Sequence, residues 1–318
     1  MADQLGTDFP FASVSLRDER SALEATFVAG AGMLCSSLRH RGDELLAQND
    51  GVAAYAQHGT PMGIPLLYPW ANRLADFEYS LAGRTVEVPH DSALIALDRR
   101  GLPIHGVIAG RLAWELMRAP AAGAQSLAAR LRWTESEPEL FQVFPFQHDL
   151  HYEARLAGGR LVLELSVHAC GAEAVPLAFG FHPYLSLPGV PRERWLIELP
   201  AMRRLALDAN QIPIGPEEAL PARRFELAGS EFDDGFDALV QPARFGVAAA
   251  SRRIELEFLR GYPCAQVFAP RDAQFICFEP MTAPTNALRS GTGLRLLDPG
   301  DRFRASFSVH VQDLQPPA

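Results

Sequence analysis

A chain of 318 residues is long for one compact unit but within the span of large all-β sandwiches, and its 48% apolar content is that of a globular protein, not a disordered one. The net charge of −9, with basic residues scattered and not striped, argues against a nucleic-acid partner, whose phosphates need a concentrated basic face. All 29 basic residues are arginines, and without lysine there can be no Schiff base, no pyridoxal phosphate attachment and no Walker A loop.

In chain order, Met1–Phe11 carries acids and no basic or apolar stretch, so no secretory signal is expected and the default compartment is cytoplasmic. No run approaches the roughly 18 apolar residues that span a bilayer, so no membrane partner is expected. The 25 glycines and 25 prolines cut the chain into short pieces, and many of these alternate between apolar and polar. Ala82-Gly83-Arg84 and Ala157-Gly158-Gly159-Arg160 have the composition of hairpin turns. Leu161, Leu163, Leu165 and Val167 share one face of a strand, with Glu164, Ser166 and His168 on the other. Alternation also marks strands at Trp195–Leu199, Arg253–Phe258 and Arg302–Val311. The only helical turn expected is Glu217–Leu220. With no internal repeat and no linker, the chain is expected to be one domain over residues 1–318, an all-β, large antiparallel β-sandwich with few short helices.

Cys35, Cys170, Cys264 and Cys277 are far apart and form no metal knuckle or disulfide framework, so buried free thiols are expected. Strand parity sorts several of the histidines. His168 and His310 fall on polar faces. His148 and His151 point to opposite faces and cannot share a metal. His148 lies among Phe144, Phe146, Leu150 and Tyr152, where a hydrogen-bonded core histidine is preferred over one lining a pocket. His105 and His182 differ because glycine and proline place them at bends, in Gly101-Leu-Pro-Ile-His-Gly106 and Phe179-Gly-Phe-His-Pro-Tyr184. Glu279 ends an apolar run, Phe275-Ile-Cys-Phe-Glu-Pro280, where an unpartnered carboxylate would be costly.

Four ordered blocks carry a resemblance to a known family: Tyr68-Pro-Trp-Ala-Asn-Arg-Leu74 leading into Asp76–Tyr79, Pro103-Ile-His-Gly106, Phe181-His-Pro-Tyr184, and Cys277-Phe-Glu-Pro-Met-Thr-Ala-Pro-Thr-Asn286. They span most of the chain, and together they resemble the aldose 1-epimerases (mutarotases) of the galactose mutarotase-like superfamily. The resemblance implies the galactose mutarotase-like supersandwich. It also implies His182 as general acid at the ring oxygen, Glu279 as general base at the C1 hydroxyl, and His105 as a second histidine near the ring oxygen. Arg73, with Asn72, is implied to hold sugar hydroxyls, and so is Asp233, with the adjoining Asp234 as the other candidate. The segment Pro176-Leu-Ala-Phe-Gly-Phe181 departs from the Asn and Thr usual in galactose mutarotases, so galactose preference is not implied.

Exchange of anomers needs one acid and one base, with no cofactor and no metal. The expected partner is a small-molecule sugar, an aldohexose, bound by a monomer or homodimer. Trp70 and Tyr184 are read as either stacking platforms or core aromatics. One alternative is a hexose-6-phosphate 1-epimerase, for which Arg99-Arg100 and Arg203-Arg204 are the available cations. Another is a carbohydrate-binding or regulatory module without turnover. A glycoside hydrolase would pair Glu279 with Asp233 or Asp234 and leave both histidines idle.

Overall fold

The computed structural model describes residues 12–314 apart from 82, 113, 119, 120 and 122, so Met1–Phe11 and Ala82 of the first hairpin lie outside the described residues. Two large antiparallel sheets dominate. One has nine strands in the order Glu115–Leu116, Ser126–Trp133, His148–Ala157, Arg160–Ala169, Arg302–Asp313, Arg252–Arg260, Ala243–Ala249, Leu196–Leu199 and Arg223–Glu226. The other has eight, running Pro213–Leu220, Met202–Leu207, Phe232–Asp237, Cys264–Ala269, Ile276–Met281, Gly180–Phe181 and Leu66–Leu67, with Tyr184–Leu185 also pairing onto Ile276–Met281. A four-stranded meander from Ser13–Asp18 to Asp43–Glu44 adds to these.

Alternation decides which side chains meet between the sheets. Phe307 and Phe245 point inward from the nine-stranded sheet and meet Phe181 and Phe278 of the other at ring separations of 5.1 and 5.3 Å. Polar positions of neighbouring strands in that sheet point outward, where arginines cover them: Glu257 is held by Arg160 and Arg244, and Glu198 by Arg253 and Arg224. The expected strands lie where the alternation marks them, and Ala157 pairs with Arg160 across Gly158-Gly159, both with positive φ as a tight hairpin requires. Leu81 and Arg84 pair on either side of the first turn.

Three expectations need correction. Glu217–Leu220 belongs to the strand Pro213–Leu220 and not to a helix; it is an outermost strand, where Pro213 and Pro216 cost no ladder bonds on the open side. Helices lie instead at Gly51–His58, Pro138–Val143 and Ala287–Ser290. The first has buried Val52, Tyr55 and Ala56 at helical spacing and ends on Gly59, whose φ of 71° suits a left-handed cap. Finally, Cys170 is exposed, although the other three thiols are buried. Among the described residues no helix is long and apolar enough to cross a membrane.

Candidate active site

The strand Ile276–Met281 is buried throughout and sits inside the eight-stranded sheet. Gly180 pairs with Met281 at one end of it and Tyr184 with Cys277 at the other. Counting inward from both ends places His182 opposite Glu279. The ladder is interrupted there: Pro183 and Pro280 have no N–H to donate, and His182 N–H donates instead to Pro65 O at 3.1 Å. Opposed residues point to the same face. His182 Nε2 accordingly lies 3.2 Å from Glu279 Oε1. On the other flank Gln266 pairs with Glu279, and Asp233 lies one strand further, opposite Phe268. Because Phe278 and Phe181 face the nine-stranded sheet, this row looks away from it.

The irregular segment around Asn72 and the short strand Pro103–Val107, which pairs with Ile95–Leu97, close over the row. Asn72 and His105 both adopt left-handed backbone, with φ of 59° and 63°. Asparagine tolerates this, while for histidine it is unusual. A reciprocal pair of contacts holds them: His105 N–H donates to Asn72 O at 2.8 Å, and Asn72 N–H donates to His105 Nδ1 at 3.3 Å. Gly106 lets this strand press on Tyr68, since an added Cβ would fall 2.2 Å from Tyr68 O. The imidazoles of His105 and His182 then meet edge to face at 5.5 Å. Arg73 donates to Asp98 Oδ2 at 2.6 Å and to Asn72 Oδ1 at 3.0 Å.

Burial dominates the electrostatics. Glu279, 1% exposed, has its carboxyl raised well above the ordinary value, first by desolvation and then by the charge of Asp233, with Arg73 opposing. His182 is lowered well below its ordinary value by desolvation and next by His105. Desolvation, then Arg73, lowers His105. Burial raises Asp98, but Arg73 and the backbone N–H groups of Leu102 and Arg100 outweigh that and hold it below the ordinary value. Glu279 Oε2 and His182 Nδ1 are buried with no protein partner, so each has hydrogen-bonding capacity to spare.

All six residues named from the sequence thus converge. His182 and Glu279 touch, His105, Asn72 and Arg73 form one wall, and Asp233 stands opposite, joined by a 2.7 Å bond from Gln266 Nε2. Asp233 shares the face of Gln266 and Glu279, whereas Asp234 alternates to the other face, towards Arg204. His148 does not join them. Tyr68 Oη and Phe146 O occupy its two ring nitrogens and Trp133 stacks on it, so it is a core histidine. Trp70 is a core side chain too. Tyr184 lies flat on His182, with ring centroids 4.3 Å apart and planes within 3°, and its hydroxyl is 3.2 Å from Nε2.

Three contributors were missed: Gln266, Asp98 and Tyr184 in its role against His182. Gln266 was traceable as the single polar side chain of Cys264–Ala269. Asp98 had no signal, since its partner lies 25 residues away in an irregular segment.

The profile of the aldose 1-epimerase family matches residues 14–310. YihR, an uncharacterised protein of Escherichia coli K12, is 25% identical over 257 residues, 78% of each chain. Among solved structures, Slr1438 of Synechocystis superposes with a TM-score of 0.76 at 23% identity, covering 98% of this chain and 99% of that one. A galactose mutarotase-like protein of Clostridium acetobutylicum gives 0.79 at 16%, covering 96% and 99%. The galactose 1-epimerase of Lactobacillus acidophilus gives 0.73 at 13%, covering 96% and 100%. With a family match over nearly its whole length and the same fold in these structures, the chain belongs to the aldose 1-epimerase family.

Proposed function

We propose that this protein is a mutarotase that interconverts the α and β anomers of an unphosphorylated aldohexose, with His182 as acid and Glu279 as base. The observation that carries this reading is the 3.2 Å contact between His182 Nε2 and Glu279 Oε1. The two oxygens that must exchange protons, O1 and O5, share carbon C1, so the acid and base have to converge on one small region. Glu279 takes the O1 proton as His182 gives its own to O5; C1–O5 breaks and C1=O1 forms. Rotation about C1–C2 and the reverse proton transfers close the ring on the other face. The pair holds one proton before and after each step, so no external acid or cofactor enters the balance.

Burial penalises the imidazolium–carboxylate form from which ring opening starts and favours neutral His182 with protonated Glu279, the form from which ring closure starts. Because His105 accepts at Nδ1, its neutral ring carries its proton on Nε2 and can donate to a sugar oxygen. Arg73, Asn72 and Asp233 are read as hydroxyl partners. The cavity beside the imidazoles is only about 40 Å3, so the sugar is read as lying on the open side, where Asp233 is exposed.

Arg203 is engaged by Asp237, Arg204 by Glu217 and Glu218, and Arg73 by Asp98, which leaves these three poorly placed to hold a phosphate dianion. Arg99 and Arg100 are exposed and carry no ion pair among the described residues, so the phosphate ester is one arm of the test. Polarimetry or NMR on freshly dissolved α-glucose, α-galactose and glucose 6-phosphate tests the reading. Anomeric relaxation should quicken for a free hexose and not for the phosphate ester. No acceleration of any sugar would favour the carbohydrate-binding module instead.

A further inference from the structure

Strand alternation puts Asp149 and His151 on the outward side of His148–Ala157, since Leu150 and Tyr152 point inward and are fully buried. On the neighbouring strand, Arg160–Ala169, His168 pairs directly with Asp149. Cys170 follows two residues on, at the open end of the hairpin, where its N–H bonds to Gln147 O at 3.2 Å. One carboxylate oxygen of Asp149, one ring nitrogen of His168 and the Cys170 sulfur lie within 4.8 Å of one another, and Cys170 Sγ is 3.4 Å from His168 Nδ1. A tetrahedral ion with ligand bonds of about 2.0–2.3 Å sets its ligand atoms about 3.3–3.7 Å apart. Small rotamer changes would close the set.

We propose that Asp149, His168 and Cys170 bind one borderline-soft divalent cation of the zinc type, with water as fourth ligand. A thiolate and an imidazole select against magnesium and calcium, which take oxygen donors. One thiolate and one carboxylate neutralise the ion. Arg130 Nη2 donates to Asp149 Oδ2, leaving Oδ1 for the metal and orienting the carboxylate as outer-shell partners do. Cys170 is the one exposed thiol; Cys35, Cys264 and Cys277 are buried. The cluster looks outward from the nine-stranded sheet and the His182–Glu279 pair looks outward from the other, so the ion does not reach the reacting sugar. Its place at the open end of the hairpin makes it a staple between two strands, independent of the proposed reaction.

The test uses the full chain, stripped with a chelator and titrated with cobalt(II). Saturation at one equivalent is expected, with a thiolate-to-cobalt charge-transfer band and visible bands of tetrahedral intensity that zinc abolishes and magnesium does not. Cys170→Ser should remove the charge-transfer band, and His168→Ala should weaken binding by about tenfold or more. Zinc should raise the melting temperature of the native sequence more than that of His168→Ala at the same concentration. A titration with no charge-transfer band, or a band that survives in Cys170→Ser, overturns the assignment.

Discussion

At the residue scale, the pair His182 and Glu279 carries the proposed chemistry, and each should be indispensable. His182→Asn or Glu279→Gln removes one proton carrier while keeping nearly the same volume, so kcat should fall about 10²–10⁴-fold with the fold intact. Anomeric-exchange NMR with circular dichroism on the same samples checks this; near-native rates in both variants would refute the roles. The pH profile follows from the opposed shifts. A second proton joins the pair only below the ordinary histidine value, because burial and His105 oppose it. The single proton leaves only above the ordinary carboxylate value, because burial and Asp233 hold it. Hence kcat/KM should stay flat well below about pH 6.5, the unperturbed histidine value. An acid limb centred at or above that value would contradict the arrangement. Asp98 holds Arg73, so if Arg73 binds the sugar as proposed, Asp98→Asn should raise KM about tenfold, or about 1.4 kcal/mol, and change kcat far less. A fall in kcat alone would mean that Arg73 needs no positioning.

At the element scale, the two strands that meet at the site explain what was legible in the sequence. A buried strand carrying Glu279 and a bend at His182 could both be seen, because hydrophobic runs and proline are local signals, although the strand runs on past Glu279 to Met281. That these two residues are opposed across one interrupted ladder could not, because register is a non-local property. The family resemblance supplied the pairing, and the strand count Gly180 with Met281, Tyr184 with Cys277 accounts for it physically. Gln266 and Asp98 were missed for the same reason: their importance lies in partners brought across the sheet or the loop. The helix Gly51–His58 was missed despite its spacing, since eight residues rich in alanine look unremarkable among alternating strands. The short strand Pro103–Val107 makes its own prediction. Gly106→Ala would drive a Cβ into Tyr68 O and strain a backbone of φ 71°, displacing His105 from His182. Loss of about 1–3 kcal/mol of stability is expected in urea titrations, together with reduced activity. Unchanged values in both would show that the strand does not need this close approach.

At the scale of the whole molecule, buried neutral histidines set how the fold responds to acid. His148 is fully buried, bonded through both nitrogens, and pushed down to about 4, chiefly by burial. In the unfolded chain the same ring titrates near 6.5. The unfolded state therefore takes up a proton that the native state refuses as pH falls through 6.5, and stability is lost until the native ring protonates near 4. The window of about 2.5 pH units corresponds to about 3 kcal/mol from this one side chain. His182 adds to the loss in the same direction. Glu279 works against it, because its raised carboxyl keeps a proton that the unfolded chain sheds above about 4.3, so acid favours its native form. Urea midpoints measured from about pH 7 to about pH 4.5 should fall for the native sequence. They should fall less steeply, by about one proton, for His148→Gln, whose amide keeps polar partners for Tyr68 and Phe146 without titrating. Parallel slopes in the two proteins would mean that His148 is already charged in the folded core, which the carbonyl of Phe146 and the hydroxyl of Tyr68 alone could not sustain without a counter-ion.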